Sequence, residues 1–268
     1  MNKEKLQEYN SILGTNNVSL EAINNAINEL PTIDEILQKY KITNCERLFW
    51  NGARTDYINE ISSLIDESCT NFEYAYYKCL NTEFPMINTS NGITFDNMYY
   101  DCNKATILPS IDTSKAETMG SMYRGCTLLQ VCPLTKTSNC SDFNNALRDC
   151  TYLTTIYELD FGKVNKIQYM VYNCNSLENV GGFKDLGKGF TQQSASYTNY
   201  KLDLSKSPSL TYESLMNIIN GLYDLNLTYD VANGGTLYTQ QLVLGTTNKN
   251  KLSSEEIAIA TDKGWVVS

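Results

Sequence analysis

The sequence predicts an α/β solenoid of ~24-residue units, each a short helix followed by a short strand, behind a helical N-terminal segment. Three observations carry this. Cys79, Cys102, Cys126, Cys150 and Cys174 recur at gaps of 23, 24, 24 and 24 residues. Each cysteine closes the same apolar pattern. A short apolar run then follows it at a nearly constant distance. The division read from the chain is 1–42 for the helical segment, 43–200 for the repeats, and 201–268 for a C-terminal continuation and cap.

The helical segment carries Leu6, Tyr9, Leu13, Leu20, Ile23, Ile27 and Leu30. With Asn16 in the gap, the steps alternate three and four, the seam spacing of a coiled coil. Gly14 to Asn17 interrupts the seam with turn-forming residues, and Pro31 stops it. Two readings stand: a cap packed on the first repeat, or an oligomerisation and attachment segment built on those seven residues. The stretch Leu20 to Pro31 resembles the opening of many phage tail-fibre chains.

Within the repeats, the position seven before each cysteine holds Phe72, Phe95, Met119, Phe143 and Ile167. Four before stand Ala75, Met98, Met122, Ala146 and Met170, and three before stand Tyr76, Tyr99, Tyr123, Leu147 and Val171. The spacing i, i+3, i+4, i+7 is one face of an α-helix, so each unit is expected to hold a helix of about two turns. Phe49, Trp50 and Ala53 read as an earlier unit, with Ala53 in the cysteine's place. The runs Phe84 to Ile87, Ile107 to Ile111, Val131 to Leu134 and Ile156 to Leu159 are expected as one short strand per unit. Pro85, Pro109 and Pro133 limit those strands, because proline has no N–H to donate. At ~4.8 Å between strands, five rungs would span roughly 24 Å.

The core Met122 to Leu129 resembles the repeat of BspA-type leucine-rich-repeat proteins, whose units have an "MF-x-x-C-x-x-L" core and a "DTS" connector. Asp112-Thr113-Ser114 matches the connector, and Met98 to Cys102 and Met170 to Cys174 match the core. The first unit departs, with Ala75 and no leucine after Cys79. The resemblance covers about residues 70 to 185. It implies a leucine-rich-repeat-like fold and modules for cell-surface binding and adhesion, not one ligand.

The C-terminal part reads as a strand at Leu202 to Leu204, an amphipathic helix over Thr211 to Leu225, and a strand over Gln241 to Leu244. A last helix opens at Ser253 with the capping-box spacing to Glu256, and a final strand runs from Trp265 to Val267. Leu242 to Val266 is again 24 residues. This region resembles the ends of repeat-containing structural proteins in phages and prophages of gut bacteria.

Composition narrows the function. The net charge is −9 without clustered lysine or arginine, so nucleic acid is not expected as a partner. No apolar stretch approaches the ~20 residues that span a bilayer, and residues 1 to 14 lack the apolar core of a secretory signal. The absence of histidine removes Ser-His-Asp and Cys-His catalysis and most zinc sites. The periodic cysteines read as small buried apolar residues. Cys132 and Cys140 stand off the period and are the pair open to a disulfide. Asp101, Asp149, Glu158, Asp160 and Glu178 are scattered, the pattern of a solvated face more than of the paired carboxylates of glycoside hydrolysis. Gly181-Gly182 and Gly187 to Gly189 read as loop.

One column lies off the apolar face. Two residues before each cysteine stand Tyr77, Tyr100, Arg124, Arg148 and Tyr172. The column reads either as ordinary amphipathic surface or as a glycan- or protein-contacting stripe. The resulting expectation is a non-enzymatic virion structural protein without cofactor, a phage tail or fibre component. It would be a homo-oligomer held to other virion proteins through its N-terminal segment and touching a host-surface glycan or protein. The alternatives are a BspA-like bacterial surface adhesin and, third, a carboxylate-based glycan-degrading enzyme.

Overall fold

The computed structural model of the chain describes residues 41–51, 58–134, 136–189, 201–227 and 240–268. The expected coiled-coil seam, Leu6 to Leu30, lies outside them. The apolar columns of the repeat converge on one core that runs from Ile42 to Trp265. Phe72, Phe95, Tyr76, Tyr99, Tyr123 and the five periodic cysteines are all fully buried in it. Rings of one column stack on their counterparts one unit away: Phe72 on Phe95 at 5.2 Å, Tyr76 on Tyr99 at 5.2 Å, Tyr99 on Tyr123 at 5.7 Å. Successive units are joined in parallel through Asn71↔Thr94, Thr94↔Thr118, Thr118↔Asp142 and Asp142↔Lys166.

The segment before each cysteine is not an α-helix, contrary to the periodicity. It is a run of consecutive turns. In the unit ending at Cys102, the N–H groups of Phe95, Asn97, Tyr99 and Asp101 donate to the carbonyls of Thr118, Gly120, Met122 and Arg124 in the next unit, at 2.7–3.0 Å. The N–H groups between them, from Met98, Tyr100 and Cys102, donate back three residues at 3.2 Å. From Asn97 to Cys102 the backbone donors thus alternate between the neighbouring unit and the local turn. Bending the chain this way needs a left-handed residue every fourth position. Asn97 and Asp101 supply it at φ 57° and 55°, Asn145 and Asp149 at 56° and 63°, Tyr169 and Asn173 at 55° and 64°. Tyr74, Lys78 and Ser121 take the same conformation, and Gly125 takes it at 75°. Asn, Asp and Gly tolerate this region; for Tyr, Lys and Ser it is held against a steric cost by the bonds to the next unit.

The strand expectation holds in part. β1 (Thr155–Ile156) pairs with β3 (Asn179–Val180), and β2 (Leu159–Asp160) with β4 (Phe183–Lys184), both in parallel. Val131 forms a single bridge to Thr155. The runs Phe84 to Ile87 and Ile107 to Ile111 form no ladder. These runs and that of Val131 carry Pro85, Pro109 and Pro133, whereas the run at Ile156 carries no proline and pairs.

The connectors hold the units together by side chains instead. Thr89, Thr113 and Thr137 are buried, and their hydroxyls donate to the carbonyls of Asp112, Lys136 and Asp160 at 2.8, 2.5 and 2.7 Å. Asp112 Oδ1 accepts from Ser114 N at 2.9 Å, the turn an Asp-Thr-Ser sequence favours. The first described unit is shifted by one residue from its expected register. Phe49 stacks on Tyr76 at 5.0 Å and donates to Ala75 O, so it belongs three, not four, before the cysteine position. Ala53, read from the sequence as the counterpart of the cysteines, lies outside the described residues.

The C-terminal part contains α2 (Tyr212–Gly221), following α1 (Ile58–Ser62) in chain order, and a three-stranded parallel sheet. The strands are β5 (Lys201–Asp203), β6 (Gln240–Val243) and β7 (Trp265–Val267), with β6 central. β6 pairs with β7 through Gln241↔Val266, so the offset is 25, one more than expected. α2 is shorter than expected because Leu222 has extended backbone. Leu225–Leu227 is a separate 3-10 turn, and α3 (Gly245–Lys249) is an element the sequence reading missed. α4 (Ser254–Asp262) opens with both halves of the expected capping box, Glu256 N on Ser253 Oγ and Ser253 N on Glu256 Oε2.

Candidate functional site

The five residues two before each cysteine form one continuous outer column. Each carbonyl is held from the preceding unit: Asn51 N donates to Tyr77 O, Lys78 N to Tyr100 O, Asp101 N to Arg124 O, Gly125 N to Arg148 O and Asp149 N to Tyr172 O, at 2.7–3.0 Å. The backbone bonds therefore set the spacing, and the half-buried side chains meet one unit apart. Trp50, 43% exposed, extends the column at its start. It stacks on Tyr77 at 4.5 Å and 15°, and Tyr77 stacks on Tyr100 at 5.0 Å and 21°. The Arg124 guanidinium lies over the Tyr100 ring at 5.2 Å. Arg148 lies 5.0 Å over Tyr169 and 5.6 Å over Tyr172.

Two guanidiniums in adjacent rungs would repel. Asp149 joins them, with Oδ2 at 3.9 Å from Arg124 Nε and 3.3 Å from Arg148 Nε, while its Oδ1 accepts from Asn173 Nδ2 at 3.0 Å. At the other end Arg47 covers Trp50 at 5.1 Å and Tyr74 at 5.5 Å. Sequence reasoning missed Arg47, Trp50, Tyr74 and Asp149 as members. The one-residue register error hid Trp50, because it put that residue on the apolar face of the unit.

This packing limits the chemistry of the face. The broad faces of Tyr77 and Tyr100 are occupied by their neighbours. Ring edges, phenol hydroxyls and guanidinium N–H groups remain for a partner. Flat stacking of a sugar ring on Tyr77 or Tyr100 has no free platform. Hydrogen bonding to a polar surface does.

Asp149 and Asp160, among the scattered carboxylates, make structural contacts. Asp160 accepts from Gly162 N at 3.0 Å and pairs with Lys184 at 3.7 Å. Glu158 and Glu178 are exposed, and burial pushes the Asp101 carboxyl up against the pull of Lys78 and Arg124. A carboxylate pair the sequence did not single out flanks Gly120. Asp96 accepts the Gly120 N–H, and Asp142 accepts from Asn144 N at 3.0 Å and from Lys166 Nζ at 2.9 Å. A Cβ at Gly120 would meet Asp96 Oδ1 at 2.9 Å, so glycine there makes room for the inter-unit bond. Gly181 likewise lies against the backbone of Glu158, with 2.5 Å from its missing Cβ to Glu158 N. Among the described residues no group of three His, Cys, Asp or Glu is placed to hold a metal ion, and no helix is long and apolar enough to cross a membrane.

The cysteines are more than small apolar filler. Cys102, Cys126, Cys150 and Cys174 donate from sulfur to the carbonyls of Tyr76, Tyr99, Tyr123 and Leu147 in the preceding unit, at 3.0–3.1 Å. Cys79 reaches Phe49 O at 3.4 Å. Tyr76, Tyr99 and Tyr123 carbonyls already accept the N–H of their own unit's cysteine, so the thiol fills the second lone pair. All nine cysteines are buried free thiols, Cys132 and Cys140 included, and burial pushes the Cys132 and Cys140 thiols up to about 12.

No curated protein and no solved structure matches the chain. The family model described as "Mycoplasma protein of unknown function, DUF285" matches residues 19–131 and 94–194. The two matches overlap in the stacked units and together take in well over half of the 268 residues, so this chain belongs to that family.

Proposed function

We propose that the chain is a non-enzymatic solenoid scaffold of a virion, a tail or fibre component, whose tyrosine–arginine column contacts a host surface or another protein. The observation that supports the contact role is the column itself. Trp50, Tyr77, Tyr100, Arg124, Arg148 and Tyr172 are half-buried or exposed, and each is held to a neighbour, so little side-chain entropy remains to be lost on binding. The virion setting rests on the sequence patterns at the two ends, Leu20 to Pro31 and residues 209 to 265. The N-terminal seam, Leu6 to Leu30, would attach the chain and set a homo-oligomer.

A second reading is a BspA-like bacterial surface adhesin, with the same column as the contact. It is favoured by the repeat core and by a family match that lies over the repeats. Fractionation separates the two. The virion reading expects the chain in purified particles, co-migrating with tail proteins; recovery in the cell envelope alone would sink it. For the column, Tyr100→Ala with Arg124→Ala is expected to abolish attachment of the full chain to its target cells while far-UV circular dichroism stays unchanged. Attachment at the parental level in that variant would remove the column from the function.

A further inference from the structure

We infer that Cys45 and Cys69 form a site for a reversible disulfide that staples the first described unit to the second. Their sulfurs lie 2.8 Å apart, both are buried, and they are 24 residues apart in sequence. This is thiol against thiol at 2.8 Å, with Ile42 O farther from Cys69 Sγ at 3.5 Å, whereas Cys102, Cys126, Cys150 and Cys174 direct their S–H groups to backbone carbonyls at 3.0–3.1 Å. A disulfide needs about 2.05 Å between sulfurs, so closing the bond requires less than 1 Å of further approach.

The columns show why the pair occurs here. Cys45 N donates to Asn71 O as Phe72 N does to Thr94 O, Phe95 N to Thr118 O and Phe143 N to Lys166 O. Cys45 therefore occupies the column that elsewhere holds a large apolar side chain. Cys69 N donates to Asp66 O as Gly92 N does to Thr89 O and Ala116 N to Thr113 O, so it occupies the column of small residues three before that one. The equivalent positions one unit on are Phe72 with Gly92, and then Phe95 with Ala116. Only in the first rung do both columns carry a thiol; Met119 with Cys140 comes nearest. Neither residue is replaced by a mere filler of equal size, so the juxtaposition is a property of this rung and not of the repeat.

The hydrogen bond between the sulfurs pushes the Cys45 thiol up and draws the Cys69 thiol down, so Cys69 ionises first. The reaction balances with a low-molecular-weight disulfide as oxidant. The Cys69 thiolate attacks it and releases one small thiolate. The Cys45 sulfur, losing its proton to solvent, then attacks Cys69 Sγ and releases the second. Two electrons pass to the oxidant, which leaves as two thiols. Reduction by the same thiol in excess reverses both steps. Access comes through local opening of this rung, which among the described residues bonds a neighbouring unit on one side.

The test uses the full-length native chain equilibrated in a series of reduced-to-oxidised glutathione ratios, quenched in acid, alkylated and mapped by mass spectrometry. The expected result is loss of two hydrogens and one crosslinked peptide joining Cys45 and Cys69, with the other seven cysteines alkylated. Cys45→Ala and Cys69→Ala, each checked for a parental far-UV spectrum, are both expected to keep all their remaining thiols. In the wild-type chain, nine alkylated cysteines across the whole series, or a crosslink at any other pair, would overturn the proposal. That readout needs no variant and no knowledge of the partner.

Discussion

The column of Tyr76, Tyr99 and Tyr123 offers a test of sign within one environment. All three rings are fully buried and stacked at 5.2 and 5.7 Å, yet their hydroxyls differ. Tyr76 Oη bonds the buried Ser62 Oγ at 2.8 Å, while Tyr99 Oη and Tyr123 Oη reach no partner among the described residues. A buried hydroxyl left unpaired costs about 1–3 kcal/mol, whereas a made bond contributes a net of about 1 kcal/mol. Tyr→Phe keeps the ring and its stacking and removes one oxygen. At Tyr99 or Tyr123 it removes an uncompensated group, so stability is expected to rise by about 1 kcal/mol after the small void is counted. At Tyr76 it breaks the bond and strands Ser62 Oγ, so stability is expected to fall by about 1–2 kcal/mol. In a chain of this size that corresponds to about 2–4 °C per kcal/mol, up for two variants and down for the third. Urea unfolding of the three single variants at one pH measures it. A Tyr99→Phe chain that unfolds earlier than its parent, by as much as Tyr76→Phe does, would refute the bookkeeping of hydroxyls and show that the Tyr99 oxygen is satisfied.

Lys78 is exposed at φ 57°, a conformation that costs a non-glycine residue roughly 1–2 kcal/mol. Lys78→Gly is expected to gain up to ~1 kcal/mol after the entropy of glycine is subtracted, and Lys78→Val to lose more than that, both read from urea midpoints. The carboxylates give opposite pH signatures. Burial raises the Asp96 carboxyl above its ordinary 3.8, so its contribution to stability is complete below 3.8 and is lost as pH rises through the folded value. Asp96→Asn, which keeps an acceptor for the Gly120 N–H, is expected to melt above its parent at pH 7 and to lose that advantage in acid. Asp112 is held low, chiefly by the Ser114 N–H, so its contribution is present above 3.8 and lost as pH falls through the folded value. Asp112→Asn is expected to melt slightly below its parent at pH 7, with the gap closing in acid; thermal scans at several pH values check both.

The chain alone determined the repeat, its period, and which columns are buried. Burial follows from the solvent's rejection of apolar surface, and that selection is written directly into residue type at fixed spacing. The same residues misled about local conformation. Positions seven, four, three and zero before each cysteine face inward on a helix. They also face inward on paired turns with a left-handed residue every fourth place. Only the bonds between units, such as Asn97 N to Gly120 O and Tyr99 N to Met122 O, decide between the two. A warning was legible in the Asn, Asp and Gly at 101, 125, 149 and 173, one residue before their cysteines, where a helix would gain nothing from them. The outer column was legible as a list of five residues. Its continuity through Trp50 and Asp149, the thiol bonds to carbonyls one unit back, and the meeting of Cys45 with Cys69 were not. Each joins residues about one unit apart or more, across a distance that depends on how far one rung sits from the next, and that spacing is set by backbone geometry rather than by residue type.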